Sequence, residues 1–157
     1  MTTSVFTHAH IQMKKSLKDL VVPKLRALGF KGSFPHFKRV REGRTHFLSF
    51  QFDKFATSFE IFIANVADVP SALFKGCSLA PEKATMNHLL WKYQLYVRPK
   101  TGSWSFAVQY ADNRDDRLFE SIAREVIPYV LEAEEWFSHG IESPNIYHHV
   151  TPGAEAR

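Results

Sequence analysis

Between Phe34 and Tyr110 the chain repeatedly alternates large apolar residues with polar or small ones, and no other feature narrows its fold as much. Successive side chains of a strand point to opposite faces, so a period of two marks a half-buried strand and cannot line one face of a helix. His46, Leu48, Phe50 and Phe52 fall on one side of such a strand, and Thr45, Phe47, Ser49 and Gln51 on the other. Ser58 to Val66 repeats the pattern with Phe59, Ile61 and Ile63, although its opposite face, Glu60, Phe62 and Ala64, is only half polar. Trp91, Tyr93, Leu95 and Val97 alternate in the same way, as do Trp104, Phe106, Val108 and Tyr110. The chain has 14 phenylalanines, which suits a sheet with a thick apolar face, because aromatic residues favour strands and bury large areas.

Turn residues order these strands. Glu42-Gly43-Arg44 predicts a hairpin of Phe34–Arg41 with Thr45–Phe52, and Pro99-Lys100-Thr101-Gly102-Ser103 predicts another of Leu90–Arg98 with Trp104–Tyr110. Ser58–Val66 supplies a third, separate strand. Residues 67–87, with Pro70, Gly76, Cys77 and Pro81, are irregular, apart from a short helix after Pro81.

Both ends change to a helical period. Leu17, Leu20, Val21, Leu25 and Leu28 form one stripe of a helix from Ile11 to Leu28, closed by Gly29, with Pro23 predicting a kink or break. Phe119, Ile122, Val126, Val130, Ala133 and Phe137 form a second stripe in a segment that starts near Asp112 and ends at Gly140. Pro128 predicts a kink there, or two consecutive helices. The expected architecture is α+β: an N-terminal helix, an antiparallel sheet of about five strands built from two hairpins plus one strand, and a C-terminal kinked helix or helix pair packed on the sheet. We expect one domain over residues 1–157, with an ordered core of about 11–140 and tails at 1–9 and 141–157.

At 157 residues such a domain can bury its own core without staples. A single cysteine, Cys77, allows no intramolecular disulfide and fits a reducing compartment. The first residues lack the basic start and apolar run of a signal peptide, and no apolar stretch approaches the ~18 residues of a membrane span. These readings place the chain in the cytoplasm, with no membrane partner.

The net charge of +4 conceals two opposed blocks. Lys14 to Arg44 holds ten Lys/Arg against two Asp/Glu, and Asp112 to Glu142 holds nine acids against three arginines. The basic block, interleaved with Phe30, Phe34 and Phe37, could hold phosphates and stack bases. Its cations could equally be solvated faces, guards of a sheet edge, or partners of the acidic block within the fold. No nucleic-acid motif accompanies them. Eight histidines show no H-x-x-x-H or H-E-x-x-H spacing, and no cofactor or metal is expected. His36 and His46 lie about equally far from Gly43 and could face each other across the first hairpin. Cys77 and His88 could form a nucleophile–base pair only if the fold joined them, and a buried, inert thiol is the plainer reading. The adjacent pairs Asp115-Asp116 and Glu134-Glu135 point about 100° apart on a helix, so each reads as solvated surface. Phosphate loops, nucleophile elbows and C-x-x-C are absent from the sequence.

Leu20 to Lys31, a proline-bearing helix that runs into Gly29-Phe30-Lys31, resembles the opening of a bacterial family known as domain of unknown function 4304. Phe37-Lys38-Arg39, His46-Phe47-Leu48-Ser49-Phe50-Gln51, Phe59-Glu60-Ile61 and Trp104 continue the resemblance, in order, over about Leu17 to Phe137. Phe62 and Ala64 stand where the family pattern has asparagine and glycine, which takes a polar site off that strand. The resemblance implies an α+β fold and a bacterial setting, and brings no catalytic residues with it.

The expected function is therefore a non-enzymatic binding or protein-interaction domain, possible in the form of an immunity-type factor that caps another protein. Its working surface would be the charged helical layer, the exposed part of the sheet, or loop 67–87. Candidate binding residues are Lys38, Arg39, Arg41, Arg44, Gln51, Trp91 and Trp104. The alternatives are a small-molecule binder or enzyme whose aromatic pocket (Phe50, Phe52, Phe59, Trp91, Trp104, Phe106) lies between sheet and helices, and nucleic-acid binding through residues 14–44.

Overall fold

The computed structural model describes residues 5–53, 58–74, 77–99, 105–107, 117–141 and 143–148. Its strands are β1 (Lys31–Ser33), β2 (His36–Arg41), β3 (Arg44–Phe52), β4 (Ser58–Val66), β5 (Leu95–Val97), β6 (Phe106–Ala107) and β7 (Ile146–His148). All pair antiparallel, in the order β1-β2-β3-β4-β5-β7, with β6 also on β4. The helices are α1 (Val5–Ser16), α2 (Val22–Ala27), α3 (Val69–Ala72) and α4 (Arg117–His139). This is the α+β architecture that the alternation predicts. No helix of the described residues is long and apolar enough to cross a membrane.

The first hairpin forms with a tighter turn than expected. Arg41 pairs with Arg44, so only Glu42 and Gly43 make the connection, both at positive φ (53° and 75°). Such a turn matches the right-handed twist of the strands, and glycine accepts the positive φ without a Cβ penalty. In this register His36 lies opposite Ser49 and His46 opposite Arg39, so the two histidines do not face each other.

The second expected hairpin does not form among the described residues. β5 pairs with Ile61–Ile63 and β6 with Ser58–Phe59, so the two run end to end along the same side of β4. The outer neighbour of β5 is β7, which lies in the stretch expected to be a tail. Glu132 on α4 holds that stretch: its Oε2 accepts from Ser143 Oγ at 2.9 Å and Asn145 Nδ2 at 2.8 Å. Alternation reports that a strand has a buried face, but carries no information about its neighbour. Trp91–Tyr93 is a 3-10 turn instead of strand, closed by Gln94 N–H on Trp91 O at 3.0 Å, while the Gln94 side-chain amide donates to Met86 O and Leu89 O. Val108–Tyr110 lie outside the described residues.

The N-terminal helix starts at Val5, inside the other expected tail, and Ala9 and Met13 are buried there. The small Ala9 gives too weak an apolar signal to extend the stripe. At Pro23 the chain neither breaks nor starts afresh. Leu17–Val21 is a π-helical turn, in which Val22 N–H reaches back five residues to Leu17 O. The wider turn sits just before the residue that cannot donate, and Pro23 takes an early position of α2, where its missing N–H matters least. α4 runs through Pro128 as one helix, with Gly140 N–H closing it on Trp136 O at 2.9 Å.

The main core lies between α1, the π turn, α2 and α4 on one side and one face of the sheet on the other, with Phe37, Leu48, Phe50, Phe59, Ile61 and Ile63 supplied by the strands. A second core covers the opposite face of β3 and β4. There Phe47, Phe62, Ala64 and Val66 meet Val69, Ala72, Leu73, Ala84, Met86 and Leu89 from the segment after β4. This accounts for the half-apolar second face of β4: the irregular segment is a lid on it. Phe59, fully buried and in contact with Phe50, Phe52 and Phe106, ties the helix-side core together. Truncating Phe59 to Ala is expected to destabilise the fold by about 3–5 kcal/mol in urea unfolding, whereas Leu131→Ala on the exposed face of α4 stays within about 0.5 kcal/mol.

Candidate functional site

Of the seven residues that the sequence proposes for binding, three are fastened inside the fold. Arg39, only 4% exposed, lies 4.4 Å from the Phe30 ring centre and 5.6 Å from that of Phe137. Its Nη1 donates to Leu28 O at 2.7 Å, one of the carbonyls that the end of α2 leaves without a helical partner. Its Nη2 forms an ion pair with Glu134 Oε2 at 2.8 Å. Arg41 Nη1 donates to Glu134 Oε1 at 3.0 Å. The basic and acidic blocks therefore meet across the β2–α4 interface, and Glu134 is an anchor, not the solvated surface expected of it. Burial alone would raise the Glu134 carboxyl, but the hydrogen bonding and charge of Arg39, aided by Arg41 and Ser138, hold it below the usual carboxylate range.

His46 completes this cluster. Arg39 Nε donates to its Nδ1 at 3.1 Å and Nη2 lies 2.8 Å from the same atom, so Nδ1 is an acceptor and the neutral ring carries its proton on Nε2. The ring stacks on Phe137 at 4.6 Å. Burial first, then the charges of Arg39 and Arg41, push His46 down to about 4. Lys38 is the third fastened residue. Its Nζ donates to Pro81 O and Glu82 O at 2.8 Å and to Ala84 O at 3.2 Å, which spends all three ammonium protons on the lid. Burial lowers its pKa, with Glu82 acting the other way.

The remaining candidates are scattered. Arg44 donates to Asn65 Oδ1 and O, Gln51 is exposed on the rim of a small opening beside His10 and Asn87, and Trp91 is 54% exposed on its turn. Trp104 lies outside the described residues. The aromatic pocket expected between sheet and helices is occupied by its own rings: Phe50, Phe59 and Phe106 are buried against one another. Cys77 is half-buried against the second core, and His88 Nδ1 accepts from Thr85 N–H at 3.0 Å. No three of His, Cys, Asp and Glu come together to hold a metal among the described residues.

The structure reveals a different site, on the lid side of the sheet. The register places Lys31 opposite Lys38 and Lys38 opposite Phe47, and in the next row Ser33 opposite His36 and His36 opposite Ser49. The lid covers the β3–β4 end of these rows but stops short of β1. Between β1–β2 and residues 82–85 of the lid a cleft of about 590 Å³ remains, within the size range of ligand sites. Val40, 74% exposed, stands in it, with the exposed Lys31 and Lys83 and the acid Glu82 around it. His36 also lines it. Its buried Nδ1 has no hydrogen-bond partner, and burial, followed by His88, lowers its pKa. Lys31, Val40 and Lys83 are not among the residues the sequence proposes, and His36 enters there only as a partner for His46. The signal available was the second face of β2 (His36, Lys38, Val40) set against a β4 whose second face is apolar.

Residues 21–139 match a family described as Domain of unknown function (DUF4304). The chain belongs to that family. The DUF4304 segment contains every cleft residue, β1–β6 and all of α4, while α1 and β7 lie outside it. No curated protein and no solved structure matches the chain.

Removing Glu134 leaves the buried Arg39 charge uncompensated, so Glu134→Ala is expected to cost about 3–5 kcal/mol by urea unfolding. Arg41→Ala, at a 40% exposed side chain, costs about 1 kcal/mol or less. In an NMR titration His46 is expected to protonate near 4. Because the unfolded ring takes up its proton near 6.5 and the folded ring does not, the His46 contribution to stability is complete above that value and is lost as the pH falls from about 6.5 to about 4. A midpoint near 6.5 for His46 in the folded protein would contradict the buried cluster.

Proposed function

We propose that this DUF4304 domain is a non-enzymatic protein-interaction module that works through the cleft between β1–β2 and residues 82–85. The observation that carries this reading is the uneven cover of the sheet. The lid seals the second face of β3 and β4 but leaves Val40, a large apolar side chain, 74% exposed between two exposed lysines. Apolar surface rimmed by charge is the usual form of an interaction patch. Several residues that could have supported chemistry or phosphate binding are spent on structure: Arg39 and Arg41 on Glu134, Lys38 on lid carbonyls, His88 on Thr85. Of the aromatics of the basic block, Phe30 and Phe37 are buried and cannot stack on bases, and Phe34 is half-buried and stacked on Phe50. Within this proposal the module works in a bacterial cytoplasm and caps a partner protein, as an immunity factor does; a lone thiol suits that compartment.

Affinity purification from the native host, with the wild type and a Lys31→Glu/Lys83→Glu/Val40→Asp variant in parallel, tests the reading. A protein recovered in stoichiometric amount with the wild type and lost with the variant is the expected result. Recovery of the bare chain alone, or a partner that the variant retains, overturns it.

A further inference from the structure

We infer that the cleft receives an acidic, extended peptide segment of the partner, laid as an added strand along the outer side of β2 at Arg39–Arg41. This rests on the interaction reading above and names the chemistry of what is bound. β1 pairs with His36–Lys38, so among the described residues Arg39, Val40 and Arg41 have β3 on one side and no strand on the other. Arg41 and Arg44 flank a two-residue turn and form the mutually hydrogen-bonded pair of the hairpin. The ladder alternates from there, so the N–H and C=O of Val40 point outward, away from β3. An extended chain alongside can pair with both, as in strand addition.

The neighbouring edge is closed to the same approach. Gly32, at the middle of β1, has its carbonyl taken by Arg26 Nη2, and Arg26 Nη1 takes Phe30 O at 3.2 Å. The open edge is therefore confined to the part of β2 that borders the cleft. Exposed edges in folded proteins are commonly guarded by charge or proline, and a bare β-branched residue on one fits a partner strand better than solvent. The side chains favour acids. Lys31 and Lys83 are exposed at the cleft, and Glu82 is the one acid among its described lining residues. On an extended chain, alternate residues face the same way, so one apolar residue can cover Val40 while acids two positions before and after it reach the lysines.

The test uses synthetic peptides of about eight residues and the ¹⁵N-labelled full chain. The probes are a Val/Glu peptide in which a central Val is flanked by Glu two residues before and two residues after it, with Thr between, the same peptide N-methylated at every amide, a Val/Lys peptide with Lys in place of Glu, and an oligo-dT of similar length. The Val/Glu peptide is expected to shift the amide signals of Val40 and Lys83. N-methylation, exchange of Glu for Lys, or Lys31→Glu/Lys83→Glu in the protein should each weaken binding by about tenfold or more, and Glu82→Gln should strengthen it by about threefold. Equal binding of Val/Lys or of the N-methylated peptide, or tighter binding of oligo-dT at the same residues, overturns the inference. If the host partner is captured through the cleft but the Val/Glu peptide leaves these signals unmoved, the acidic-strand inference alone fails. If neither partner nor any peptide reaches the cleft, the interaction reading fails with it.

Discussion

Everything else in the molecule follows from the need to bury β3 and β4 on both faces. Here α1, α2 and α4 all lie on the side of Leu48, Phe50, Phe59, Ile61 and Ile63. Phe47, Phe62, Ala64 and Val66 point the other way, and leaving them in water would expose a contiguous apolar face. The chain after β4 therefore doubles back over them as a lid of short turns. That lid has few backbone hydrogen bonds of regular structure to hold it, and it is secured instead by its apolar contacts, by Gln94, and by Lys38, whose ammonium group takes three of its carbonyls. The cleft exists because this lid is long enough to cover β3 and β4 and too short to reach β1.

Charge does a second, more local task. The end of α2, the first hairpin and α4 converge on Arg39, which has no access to bulk water and must find its partners inside. Leu28 O, His46 Nδ1 and Glu134 supply them, and its Cζ lies over the rings of Phe30 and Phe137. A guanidinium suits this place because its planar fork can address several acceptors at once, which a lysine ammonium could not do with the same geometry. The cluster ties β2 to the end of α2 and to α4. Structure and proposed function are thus joined through one strand: Arg39 and Arg41 are committed to the helix side and to Glu134, while Lys38 and Val40, turned to the opposite face by the pleat, form part of the cleft.

The sequence by itself determined the local elements. The period of two placed β2, β3 and β4; the helical stripe of Phe119 to Phe137 placed α4; and Glu42-Gly43 placed the turn. These are short-range facts, written in neighbouring side chains and in the positive φ that glycine tolerates. What only the tertiary structure decided is which elements touch. The strands after residue 90 lie along β4 in place of each other, Ile146–His148 becomes an edge strand, and Glu134 is an anchor while its neighbour Glu135 remains exposed. The candidate site was the least legible part. A basic residue looks the same in sequence whether it faces solvent, a carboxylate or a carbonyl, so Arg39 and Lys38 read as binding groups when they are internal fastenings. The open edge of β2 is set by where β1 and the lid stop, and a boundary of that kind is a property of packing between distant segments, to which no single stretch of residues gives a signal.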